Sequence, residues 1–156
     1  MDDEEYIIRR ARPDDMPVVR SLIRSEHLDP FLITCHQTLV AEDSTGIIGC
    51  VRIKPVPALR ELGSLVVRPD RRGRGIGSAL VCHLIAQEQG DLYLMCQEHL
   101  EGYYRRFGFE PINFWHSPPS LKVKLGFCLL VLNPLFRVRY MAMKLVRPAD
   151  SNQRCT

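Results

Sequence analysis

A chain of 156 residues fits one domain with a full core. Apolar residues make up 46% and charged residues 25%, ordinary for a globular protein, and the formal net charge is only +3. That balance excludes a dedicated nucleic-acid binder, whose basic residues would crowd one face.

Residues 6–10 read as a first strand. Pro13-Asp14-Asp15 opens a helix with Met16, Val19, Leu22 and Ile23 on one face. Residues 25–37 are irregular or a second short helix. Residues 38–42 and 47–53 form a strand pair across Asp43-Ser-Thr-Gly46, and Leu59–Val67 is a fourth strand. A helix over 75–89 follows, and Gly90 stops it. A fifth strand spans 91–96. A short helix over 100–107 ends on Gly108, and the last strands are 109–114 and 138–145. The crossover from the fourth to the fifth strand should be right-handed and parallel.

Between the last two strands lies 125–136, LGFCLLVLNPLF, the most apolar stretch. Twelve residues broken by Asn133-Pro134 are too short to span a bilayer of about 30 Å. The segment reads as a buried strand or helix, with contact to a membrane or to a second copy as the other ways to cover it. No membrane span is expected, and a homodimer is one route to burial.

The six cysteines show no CxxC pair and read as small core residues. The opening Met-Asp-Asp-Glu-Glu is acidic, the reverse of a signal peptide. A reducing, cytoplasmic setting without disulfides is the expectation.

Chemistry concentrates in Ser64-Leu-Val-Val-Arg-Pro-Asp-Arg-Arg-Gly-Arg-Gly-Ile-Gly-Ser78. An apolar strand runs into a basic glycine-rich turn, and a helix follows at once. Gly73, Gly75 and Gly77 let consecutive N–H groups converge on one concavity, and the helix points its positive end there. Such a turn, with Arg72 before the glycines and Arg74 and Ile76 between them, holds a phosphate or pyrophosphate. GxxxxGK[ST] is absent, and the alternating glycines do not follow GxGxxG.

Arg72-x-x-Gly75-x-Gly77 resembles the R/Q-x-x-G-x-G/A pattern of the GNAT superfamily of acetyl-CoA-dependent N-acetyltransferases. The resemblance extends over about 6–146, and the motifs at 60–77 and 92–109 carry it. It implies a single domain over 1–156 of α/β (mixed α+β) class. The sheet would have six to seven strands, mixed and mostly antiparallel, with helices on both faces and a splay between strands 4 and 5. Acetyl-CoA would be bound at the turn and coenzyme A released, with no metal.

The resemblance also assigns roles. A backbone N–H of the fourth strand, at Leu65, Val66 or Val67, would polarise the thioester oxygen, with pantetheine lying along the strand like an added neighbour. Gly63 and Ser64 mark a bulge that would open the splay. Glu61, thirteen residues before Arg74, sits where histone-acetylating members carry a general base. Its other reading is a strand-end carboxylate paired with Arg60 or Arg52. Tyr103-Tyr104-Arg-Arg-Phe-Gly-Phe109 is similar to the (F/Y)-Y-x-x-(L/F)-G-F signature, in which the second aromatic, here Tyr104, protonates the coenzyme A sulfur. The other reading makes both tyrosines packing aromatics. Gln97 stands where the pattern carries a cofactor-contacting Asn, one methylene shorter. His99 and His116 read as surface residues.

The function implied is direct transfer of an acetyl group to a primary amine in a ternary complex. The acceptor is a small molecule or a peptide. Alternatives are an amino-acid N-acetyltransferase of the N-acetylglutamate synthase type, a peptide or protein N-acetyltransferase, and a non-catalytic acyl-CoA-binding sensor.

Overall fold

The computed structural model describes residues 5–28, 33–56, 59–132 and 139–147. Seven strands form one sheet in the order β1-β2-β3-β4-β5-β7-β6, where β1 is Ile7–Arg10, β2 Thr38–Asp43, β3 Gly46–Val56, β4 Leu59–Val67, β5 Leu92–Gln97, β6 Phe109–Ile112 and β7 Tyr140–Leu145. The sheet is mixed, with β4 and β5 parallel, as the sequence leads one to expect. The helices are α1 (Met16–Ser25), α2 (Ile76–Gln87), α3 (Glu101–Arg105) and α4 (Pro119–Phe127). The chain divides into two compact units, Met1–Lys54 with Leu62–Gln89, and Pro55–Glu61 with Gly90–Thr156.

In the first unit, β1 and β2 pair antiparallel from Ile7 opposite Glu42 to Arg10 opposite Leu39. The hairpin of β2 and β3 pairs Leu39 with Val51 and carries an irregularity between Ala41 and Glu42. Its turn is held by Asp43, whose carboxylate accepts from the Thr45 amide at 2.7 Å. The apolar stripe of α1 buries Met16, Val19 and Ile23 against Val40, Ile47, Cys50 and Val66. Arg9 anchors the helix start to the sheet, donating to Asp15 at 2.6 Å and to Glu42 at 2.7 Å. Both carboxyls are held below their usual range, first by their hydrogen bonds from Arg9.

In the second unit, β7 lies between β5 and β6 and pairs antiparallel with both. β5 alternates, with Leu92, Leu94 and Cys96 buried. Leu121 and Leu125 of α4 pack on Leu59 and Ala142, with Tyr93, Met95, Ile112 and Phe114 around them. This helix corrects the reading of 109–114 as one strand. Strand pairing stops at Ile112, and after the Phe114–His116 turn Pro118 and Pro119 open α4. The apolar stretch 125–136 is therefore helical at its start and buried in part only. Leu125 is in the core, whereas Phe127, Leu130 and Val131 are exposed. Residues 133–136 of that stretch, and 29–32 of the irregular region, lie outside the described residues.

Cys35, Cys50, Cys96 and Cys128 carry free thiols. Cys82 is the exception to the expectation of reduced cysteines and is disulfide-bonded.

Candidate active site

The glycine-rich turn belongs to the first unit. β4 leaves the sheet at Val67, a short turn over Pro69–Arg71 reverses the chain, and α2 starts at Ile76. Gly73 and Gly75 have φ of +77° and +76°, left-handed values at which any other residue is strained. A Cβ at either position would meet nothing within 4 Å, so the strand-to-helix path, not crowding, calls for glycine. Gly75 caps α2 and supplies no side-chain hydrogen bond. The first N–H groups of a helix have no partner within it, and Gly75 has no side chain to take them. Ile76, Leu80, Val81 and Leu84 are buried and fix the helix.

Most of the arginines brace this turn. Arg68 donates to Asp70 and to Thr45. Arg71 pairs with Asp43 at 3.0 Å. Arg72 donates to the Val67 carbonyl at 3.0 Å and to Glu26 at 2.5 Å. The turn is thus tied to the β2–β3 hairpin and to the residue after α1 before any anion is considered.

The expected irregularity in β4 is present. Ser64 has φ of +51°, a left-handed residue inside a strand. Its side chain accepts from Arg52 Nε at 2.9 Å, and both residues are buried. The Cys50 thiol points at the Ser64 carbonyl at 3.9 Å. A Cβ at Gly63 would lie 2.4 Å from Lys54 Cε, so the lysine side chain packs over the space that glycine leaves. Beyond the kink, Val66 is buried in the first unit's core while Leu65 and Val67 are partly exposed.

The other predicted residues belong to the second unit. Tyr104 on α3 is 8% exposed and packs edge-on against Tyr103 and Phe109, with centroids 5.1 and 6.1 Å away. Its hydroxyl has no hydrogen-bond partner among the described residues. Burial, then the neighbouring Cys96 and Tyr103, push the phenol well above its usual value. Tyr103 is more exposed and sits under the Arg106 guanidinium at 4.7 Å. Cys96 is buried and its thiol is pushed up to about 11, by burial and then by Glu101. Gln97 ends β5 opposite Tyr140. His99 and His116 are exposed, as expected.

Glu61 is neither exposed nor at a strand end. It is 2% exposed, and Oε2 accepts from Lys124 Nζ at 2.6 Å. Two residues of this region escape sequence reading. Lys124 lies sixty-three positions from Glu61, and its only signal is Leu-Lys-Val-Lys after a double proline. The sequence offers Arg52 as a partner for Glu61, and its bond to the kinked Ser64 has no local sign there. Among the described residues no group of three His, Cys, Asp or Glu could hold a metal.

The fourth strand of the sheet is thus kinked at Ser64 and runs through a glycine turn into a helix. Residues 34–111 match the acetyltransferase (GNAT) domain family, half of the sequence, and the chain belongs to that family. No curated protein matches the chain in sequence. Among solved structures it is similar to Rv2747 from Mycobacterium tuberculosis, in complex with CoA and NLQ. That match has a TM-score of 0.71 at 20% identity, covering 91% of this chain and 99% of that one. N-acetylglutamate synthase from Neisseria gonorrhoeae, complexed with coenzyme A and N-acetyl-glutamate, matches with a TM-score of 0.67 at 18% identity. There 94% of this chain and 36% of that one are covered. A GNAT family acetyltransferase from Brucella melitensis in complex with acetyl-CoA matches with a TM-score of 0.52 at 25% identity, over 69% of this chain and 84% of that one.

Proposed function

We propose that the chain is one acetyltransferase domain that moves an acetyl group from acetyl-CoA to a primary amine. The observation that carries this is the turn at 72–77, with two left-handed glycines, the second of them the N-cap of α2. The N–H groups of Gly73–Gly77 receive the pyrophosphate, and Arg74 adds charge. The match to Rv2747 over 91% of this chain supports reading it as one domain.

Catalysis in this reading follows from four features. The backbone past Ser64, at Leu65–Val67, offers an N–H to the thioester oxygen. The kink supports this role, because a left-handed residue breaks regular pairing at that point. Glu61 takes the proton of the amine as nitrogen attacks the carbonyl carbon, and Lys124 compensates its charge in a buried place. Tyr104 gives its phenol proton to sulfur as the C–S bond breaks. Its burial keeps that proton in place at neutral pH, and its unbonded hydroxyl leaves it ready to donate. Gln97 is read as a contact to the cofactor through its amide.

The acceptor reading we favour is a small amine. A second reading, an amino-acid acceptor of the N-acetylglutamate synthase type, is favoured by the fold match to that enzyme. The test is release of free thiol from acetyl-CoA across a panel of amino acids, polyamines and peptides, with the acetylated product identified by mass. Amine-dependent thiol release supports the proposal. Tight acetyl-CoA binding without release for any amine would make the chain a sensor.

A further inference from the structure

We propose that the outer face of α4 and the helical turn after it is a docking surface for an anionic lipid bilayer. Val123 is 76% exposed, Phe127 57%, Leu130 79% and Trp115, just before the helix, 78%. Val131 is exposed beside them. Leu121 and Leu125 already bury the opposite side of α4. At about 100° per residue, Val123 lies about 200° round from Leu121, and Phe127 continues its face. The helix is apolar on both sides, and only one side is buried among the described residues.

Charge says what covers the other side. From Pro111 to Ala149 the sequence has six Lys or Arg and no Asp or Glu. The second unit as a whole carries ten basic and six acidic residues. Some of that charge is met inside the fold, as in Lys124 with Glu61 and Lys144 with Asp91. The excess remains, and Lys122 flanks the bare apolar face. An apolar face with tryptophan, flanked by Lys122 and carried on a stretch of chain rich in basic and poor in acidic residues, matches the interfacial region of an anionic membrane. A second copy docked through the same face would set Lys122 against its own image. Spanning is a separate matter. No helix of the described residues is long and apolar enough to cross a membrane. Residues 119–132 would reach about 21 Å as a helix, short of about 30 Å.

Trp115 is the chain's only tryptophan, so it reports on this face alone. The full chain is mixed with sucrose-loaded vesicles of phosphatidylcholine, with and without phosphatidylglycerol, and both sedimentation and Trp115 emission are read. Expected are binding to the anionic vesicles, a blue-shifted emission, quenching by brominated lipid, and at least tenfold weaker binding to uncharged vesicles. Val123→Glu with Leu130→Glu should reduce binding at least tenfold while circular dichroism and melting stay as in the wild type, since both side chains are exposed. The proposal is overturned by any of three results. The anionic vesicles do not bind, the double variant binds as well as the wild type, or the emission shifts with protein concentration and not with lipid. The last result would assign the face to a second copy of the chain. None of these outcomes depends on acetyl-CoA chemistry.

Discussion

Lys124 donates to the buried Glu61 at 2.6 Å, joining α4 to β4. The lysine is partly exposed, so solvent moderates the pair, while the carboxylate has almost no contact with water. Lys124→Met should therefore cost about 1–3 kcal/mol of stability. Glu61→Gln in the same background should recover part of it. A double-mutant cycle by urea denaturation measures the coupling, and strict additivity would mean that the pair contributes nothing. Glu61→Gln alone should lower kcat at least tenfold with the KM for acetyl-CoA little changed.

Tyr104→Phe should lower kcat by about ten- to a hundredfold without weakening acetyl-CoA binding. The hydroxyl makes no hydrogen bond among the described residues, so melting should be unchanged. Tyr103→Phe should matter less. Steady-state kinetics on the two variants separates them, and a reversed order would move the acid to Tyr103.

Gly77→Glu should abolish acetyl-CoA binding while the fold is kept. Position 77 is the second residue of α2, where glutamate is compatible with the helix and even suits its N-terminus. Its carboxylate would compete with the pyrophosphate for the same N–H groups. Calorimetry on the folded variant reads the loss, and normal binding would remove the phosphate role from the turn.

Ser64→Gly and Ser64→Ala both remove the oxygen that Arg52 bonds. Only alanine keeps a Cβ at φ of +51°. Ser64→Gly should thus be the more stable of the two, by about 1 kcal/mol in urea denaturation. Equal stabilities would mean that the left-handed kink stores no strain.

Raised proton affinities also set a pH dependence. Burial pushes Cys96 up to about 11 and Cys50 up to about 12, and raises Tyr104 further. Above about pH 9 the unfolded chain loses these protons while the native one keeps them, so the native state binds more protons there. Their contribution to stability is complete below about pH 8 and is lost as pH rises through 9 to 12. Urea midpoints at pH 7.5 and 10.5 should show the drop. Turnover should not fall through ionisation of Tyr104 below about pH 10.

The strand–turn–helix at 59–87 was legible because its signals are local. Glycine spacing, the proline at 69 and the apolar run of β4 all lie within a few residues of the structure they cause. The bounds of β4 were read as observed, and the kink at Gly63-Ser64 was visible as a poor strand sequence. α4 was not legible. Its apolar residues fall on both faces and so make no helical stripe, and Pro118-Pro119 at its start is as compatible with a turn as with a helix N-terminus. The true partner of Glu61 was hidden for a different reason. Lys124 reaches it only after α4 packs on Leu59, a contact across more than sixty residues that no local pattern encodes.

The central claim is direct transfer from acetyl-CoA to an amine, with no acetyl group resting on the protein. A single-turnover experiment with acetyl-labelled acetyl-CoA tests it. Cys96 and Cys50 are the buried thiols nearest in kind to a nucleophile, yet both hold their protons far above neutral pH and so lack the reactive thiolate. The account predicts no label on the protein without amine, and full transfer of label to the amine once a suitable one is added. Stable label on the protein before the amine is added, chased onto the amine afterwards, would contradict it.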